Sequence, residues 1–157
     1  MKESEIREKI FSTFANIANS LGYSEVYGRI IACLLMHDET ISLSQVAKET
    51  NYSSSMVSLS IDFLDTIGMV KRIKKPGDRK LYLQSNGSLL DGLKKALLVR
   101  VKKNISNSLQ EFDGYKKELK RLKGKESKKL LKAVGKLESE IRRMNKYIKV
   151  LSQLKIH

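Results

Sequence analysis

Two adjoining stretches hold residues whose types and spacing could do chemistry. Residues 71–80, KRIKKPGDRK, set Lys71, Arg72, Lys74, Lys75, Arg79 and Lys80 against a single acid, Asp78. Bases this dense at a Pro-Gly tip attract phosphates and fit a nucleic-acid groove. Upstream lies NYSSSMVSLS, in which Ser53, Ser54, Ser55 and Ser58 stand away from an apolar stripe of Val57, Ile61 and Leu64. Serine hydroxyls donate or accept, so they contact base edges or phosphates without strong discrimination. Met56 and Leu59 beside them could touch thymine methyls. No Arg or Asn in this run offers bidentate reading of guanine or adenine, which implies modest direct readout supplemented by DNA shape.

Other reactive side chains look isolated. Cys33 sits in the most apolar stretch, where a cysteine is usually inert packing. His37 and His157 have no Cys, Asp or Glu at ligand spacing, so no metal site is expected. Tyr23, Tyr27, Tyr52 and Tyr82 read as packing at the edge of the core. No G-x-S-x-G, P-loop, H-E-x-x-H or paired-carboxylate constellation occurs, so neither catalytic residues, cofactor nor enzymatic activity is expected.

The charge is unevenly placed. The 157 residues carry 31 Lys and Arg against 17 Asp and Glu, a net of +14. Residues 1–87 hold 11 bases and 10 acids, and without the 71–80 cluster that part is mildly acidic. Residues 88–157 hold 20 bases and 7 acids. A local spike inside a near-neutral module points to a contact, whereas the C-terminal surplus reads most simply as a solvated Lys-rich surface. The longest apolar run, residues 30–36, is far short of a membrane span, and the N-terminus lacks the apolar segment of a signal peptide. One cysteine fits a reducing compartment, so a cytoplasmic protein without membrane association is expected.

The elements that must position these residues follow from periodicity. Ile6, Ile10, Phe14, Ile17 and Leu21 form the stripe of an amphipathic helix stopped by Gly22. Ser24 caps a second helix, apolar nearly all round through Ile30, Ile31, Leu34 and Leu35, and Thr40–Ile41 is extended. Ser42 and Gln45 have capping-box spacing for a short helix ending near Thr50. Asn51-Tyr52 turns, and Ser53 caps a third helix running to Ile67. Two short helices with a tight turn are a helix-turn-helix, and the strand-like runs flanking Lys75–Asp78 add a hairpin. After a break at residues 84–87 a long helix begins at Ser88, with Asp113-Gly114 and Gly124–Ser127 as candidate interruptions. From Leu130 the pattern is heptad. Leu130, Leu137, Met144 and Leu151 fall at d, and Val134, Ile141 and Ile148 at a, a choice that favours two-stranded pairing.

Residues 21–83 resemble GbsR-type members of the MarR superfamily. The resemblance rests on Gly28-Arg29, Ser42-Leu43, Ser53 with Val57-Ser58, Gly68, and Pro76-Gly77-Asp78-Arg79. It implies a homodimeric winged-helix transcription regulator, often a repressor, whose terminal helices build the dimer. It also implies that Arg79 enters the minor groove with Asp78 orienting it, while Lys74, Lys75 and Lys80 meet phosphates. Some GbsR-type members respond to choline or related osmolytes. No converging aromatic cage is visible here, so that ligand is not carried over. Asp62 and Phe63 depart from the family's polar or basic pattern, and Asp65 adds a second acid. Carboxylates there would repel phosphate and restrict close approach to the helix's N-terminal turn.

The expected architecture is mainly α with a small β-hairpin wing. Residues 1–22 form an N-terminal scaffold helix, 23–86 a winged helix-turn-helix domain and 87–157 a helical dimerisation region. Gln45, Ser53, Ser54, Ser55, Ser58, Lys71, Lys74, Lys75, Arg79 and Lys80 are the expected DNA contacts. Ile6, Ile10, Phe14, Leu130, Val134, Leu137, Ile141, Met144, Ile148 and Leu151 are the expected dimer contacts, although the C-terminal heptads could instead pair within the chain. Double-stranded DNA and a second copy are the expected partners, with an unidentified small-molecule effector as a further candidate. An architectural, largely non-specific DNA binder and a winged-helix protein-interaction module are the alternatives.

Overall fold

A computed structural model describes residues 1–155; His157 lies outside the described residues. The chain divides into two compact units, the first Met1–Leu93 and the second from Lys94 onward. It is a mostly helical fold with a small antiparallel sheet. The first unit contains α1 (Glu3–Ser20), α2 (Glu25–Leu35), β1 (Ile41–Ser42), α3 (Leu43–Thr50), α4 (Ser54–Thr66), β2 (Val70–Lys74), β3 (Leu81–Ser85) and the start of α5 (Leu89–Leu122).

Helix starts follow local chemistry. Ser24, Ser42 and Ser53 are N-caps whose hydroxyls accept from the backbone N–H of Val26, Gln45 and Met56 at 3.4, 3.2 and 3.1 Å. Gln45 does not complete the expected capping box, because its side-chain amide donates to Glu49 instead (2.8 Å). The α3–α4 turn is made by Asn51, whose φ of 58° ends α3 in a left-handed cap. At the far end of α4, Gly68 takes φ 77°, while its N–H and that of Met69 bond back to Asp65 and Leu64.

The core lies among α2, α3, α4, β2 and β3, with Ile30, Leu34, Val46, Val57, Ile61, Leu64, Val70 and Leu83 buried. Leu35, expected inside, is exposed at the end of α2. Helix α1 also differs from expectation. It buries Phe11, Ala15 and Ala18, whereas Ile6 and Ile17 of the longer apolar stripe are exposed. The cause is across the contact: a Cβ on Gly28 of α2 would lie 2.1 Å from the Phe14 backbone oxygen. The backbones are this close at Phe14 and Ala15, so the small Ala15 fits there, while Phe11 is buried one turn earlier. Arg29 clamps the same contact through both Glu8 carboxylate oxygens (2.8 and 3.0 Å), its guanidinium 4.9 Å from the Phe11 ring centroid.

The sheet has three strands in the order β1-β3-β2, with Ile41 opposite Leu83 and Arg72 opposite Leu83 from the other side. The extended piece near Ile41 thus becomes a paired edge strand. Gln84 and Ser85, expected in a break, belong to β3 because they pair with Lys71 and Val70.

In the second unit α5 runs on through Gly114, and among the described residues the break between the two helices falls at Lys123-Gly124, with Lys123 at φ 45°. Helix α6 (Lys125–Gln153) returns antiparallel. Lys116 of α5 pairs with Glu138 of α6, and Lys94 donates to the Leu154 carbonyl. The a-type residues Val134, Ile141 and Ile148 are half-buried, sharing a helix face with Glu138. The d-type Leu130, Leu137 and Met144 remain about half exposed within one chain.

Candidate nucleic-acid interface

The exposed face of α4 is built by its buried stripe. Val57, Ser60, Ile61 and Leu64 face inward, which turns Ser54, Ser55, Ser58 and Leu59 outward. Ser53 ends the helix at that same end, leaving its N-terminal dipole facing solvent. Leu59 is 73% exposed and Met56 44%, so two apolar side chains flank the serines. Ser60 is different: it is buried and its hydroxyl donates to the Met56 carbonyl (2.8 Å).

The wing tip is a type II turn. Pro76 and Gly77 occupy the centre, Gly77 has φ +75°, and the Asp78 N–H donates to the Lys75 carbonyl (3.1 Å). Lys71, Lys74, Lys75, Arg79 and Lys80 are all exposed on the hairpin. Asp78 makes no side-chain bond to Arg79 among the described residues. Its carboxylate accepts from the Lys80 backbone N–H (2.9 Å) and the Tyr82 hydroxyl (2.7 Å). Those two bonds hold the Asp78 carboxyl below its ordinary range, and the second pushes the Tyr82 phenol up. Lys75 Nζ lies 4.0 Å from the Tyr82 ring centroid, so the same tyrosine steadies both sides of the tip. Arg79 has no ion pair among the described residues and projects from a stiffened turn.

Arg72 behaves unlike its neighbours. Its guanidinium joins Asp62 and, at 3.2 Å, Asp65, both on α4. The two acids that set α4 apart from the family pattern are therefore paired, and β2 is tied to α4 by the same side chain. Phe63 does not face outward with them; it packs on Tyr23 and Tyr27 at centroid distances of 5.2 and 5.1 Å. The only sequence signal for the Arg72 link is a ten-residue offset between acid and base, which no periodicity marks.

A second cluster lies between α2 and α3. Cys33, His37 and Glu49, read as isolated in the sequence, bring their ligand atoms within 4.8 Å of one another. The spacing from Cys33 to His37 is one helical turn, a signal that was legible; Glu49 arrives from α3. Its carboxylate accepts from His37 (3.0 Å), Arg7 (3.1 Å), Gln45 (2.8 Å) and the Cys33 thiol (3.6 Å). Burial would raise the Glu49 carboxyl, but the His37 and Gln45 bonds outweigh it and hold it low. Burial, then the adjacent Glu49 charge, push the Cys33 thiol up to about 12.

No protein-family model matches the chain, and no curated protein sequence matches it. The fold has solved counterparts. The crystal structure of a transcriptional regulator superposes with a TM-score of 0.64 at 16% identity, covering 93% of this chain and 95% of that one. A point mutant of S. aureus MepR bound to an oligodeoxyribonucleotide gives 0.45 at 16% identity over 87% and 93% of the two chains. NadR in complex with 4-hydroxyphenylacetate gives 0.43 at 15% identity over 96% and 89%. The fold is a winged helix-turn-helix with long C-terminal helices. No helix among the described residues is long and apolar enough to cross a membrane.

Proposed function

We propose that this chain is a homodimeric, sequence-specific DNA-binding transcription regulator of the MarR superfamily, similar to its GbsR-type members, that represses by occluding a pseudo-palindromic promoter site. The observation that carries this reading is the surface shared by α4 and the wing. Exposed Ser53, Ser54, Ser55 and Ser58 stand towards one helix end, five exposed bases stand on the hairpin, and Arg72 pairs with both acids of the same helix, offsetting part of their charge.

On this reading the first turn of α4 enters the major groove. Its serines meet base edges and phosphate, Leu59 and Met56 touch thymine methyls, and Gln45 contacts the backbone from α3. Lys71, Lys74, Lys75 and Lys80 meet phosphates, while Arg79 enters a narrow A·T-rich minor groove. Two protomers then read half-sites about 10 base pairs apart, or a multiple of that. The dimer forms through Ile6, Ile10 and Phe14 of α1 and Leu130, Val134, Leu137, Ile141, Met144, Ile148 and Leu151 of α6. An effector would act by changing the spacing of the two α4 helices.

Selection of bound duplexes from a random pool tests this reading. A recovered two-fold motif with that spacing is expected; a pool without any enriched motif would reject it. One observation favours the second reading, a largely non-specific DNA binder. Helix α4 offers no Arg or Asn to a base, while residues 88–157 carry 20 bases.

A further inference from the structure

We propose that Cys33, His37 and Glu49 form a binding site for a thiophilic divalent transition-metal ion of which zinc is the representative. The three side chains come from two helices and converge on one point. Cys33 lies in α2, His37 one turn later just beyond the Met36 cap, and Glu49 near the end of α3. All their ligand atoms lie within 4.8 Å, with Glu49 Oε2 3.6 Å from Cys33 Sγ and 3.0 Å from His37 Nε2. A tetrahedral ion with bonds of about 2.0–2.3 Å separates its ligand atoms by roughly 3.3–3.7 Å, so small side-chain adjustments suffice.

The donor set selects the ion. A thiol, an imidazole and a carboxylate suit zinc and its neighbours, whereas magnesium and calcium want oxygen throughout. Gln45 Nε2 already holds Glu49 Oε1, which fixes the carboxylate with Oε2 directed into the cluster, the role an outer-shell partner plays in established sites. The His37 side chain is 33% exposed, so water can reach the fourth position. On binding, the Cys33 thiol proton passes to solvent and the sulfur becomes the anionic ligand.

Arg7 is the competing cation. Its guanidinium sits 3.1 Å from the same Oε2, on a side chain half exposed to solvent, and an ion would displace it. The rival account, a hydrogen-bond cluster complete in itself, predicts no ion affinity. The two accounts therefore differ in what removing Arg7 does.

Titration of the full reduced chain with cobalt(II), followed by zinc(II) competition, decides between them. Expected are one-to-one binding, thiolate-to-cobalt absorption in the near ultraviolet, the intense visible bands of four-coordinate cobalt, and their loss when zinc is added. Cys33→Ser should abolish the near-ultraviolet band. His37→Gln, at a partly exposed position, and Glu49→Gln should each weaken binding by more than the ~10–100-fold that losing an outer-shell partner costs, with circular dichroism checking that each variant is folded. Arg7→Ala should tighten it. Absence of the near-ultraviolet band at stoichiometric cobalt would overturn the proposal. So would a band that persists in Cys33→Ser, or affinity unchanged in both His37→Gln and Glu49→Gln.

Discussion

Arg72 sits in the middle of a run of bases, yet its guanidinium is committed to Asp62 and Asp65 rather than free for phosphate. Both carboxylates are more than 45% exposed, so the pairing adds only about 0.2–1 kcal/mol of stability. Its larger effect under the proposed function is electrostatic, since two bare carboxylates on the reading helix would repel the duplex. Arg72→Ala should therefore weaken DNA binding in an anisotropy titration, and adding Asp62→Asn and Asp65→Asn to it should restore most of the loss. A phosphate-contacting Arg72 would instead leave the triple variant as weak as Arg72→Ala. Arg79 is the contrasting case, exposed and without an ion pair among the described residues. If it enters the minor groove, Arg79→Ala should reduce affinity most on A·T-rich sites, whereas Lys74→Ala should weaken all sequences alike and lower the log–log salt slope by about 1.

Between elements, the tightest constraint is the contact of α1 with α2. Gly28→Ala would drive a methyl into the α1 backbone, where no side chain can move aside, and should destabilise by about 1–3 kcal/mol or more in urea unfolding. The Glu8–Arg29 pair on the same contact gives a pH signature. Its hydrogen bond with Arg29 holds the Glu8 carboxyl below its ordinary value despite opposing burial. Its contribution is thus complete above the unfolded value of about 4.3 and is lost as pH falls through the lower folded value. Glu8→Gln should lower the melting temperature at pH 7, and that deficit should shrink as both proteins are acidified below pH 4. Much of this level was legible in the sequence. Ser24, Ser42 and Ser53 were readable as caps because a hydroxyl acts on the backbone two or three residues away. The α4 stripe and Pro-Gly wing tip are equally local. The face of α1 was not legible, because two apolar stripes compete on it and the choice is made by a glycine on another helix. The pairing of Arg72 with α4 and of Glu49 with Arg7, Cys33 and His37 likewise depends on cross-element geometry, and the periodicity that found the helices carries no information about it.

For the whole molecule, the a-type residues of α6 are half-buried within a single chain, whereas Leu130, Leu137 and Met144 stay about half exposed. The proposed dimer gives those residues a partner. Leu137→Glu with Met144→Glu should then shift the light-scattering mass from dimer to monomer and weaken operator binding, while leaving the helical circular dichroism nearly unchanged. The basic surplus of residues 88–157 is compatible with both specific and non-specific DNA binding, and only a comparison of sequences separates them. The most direct test is the affinity of the full chain for its selected two-fold duplex against a scrambled duplex of equal composition, at about 150 mM salt. The proposed regulator predicts a ratio of about 10³ or more; a ratio near one would contradict it.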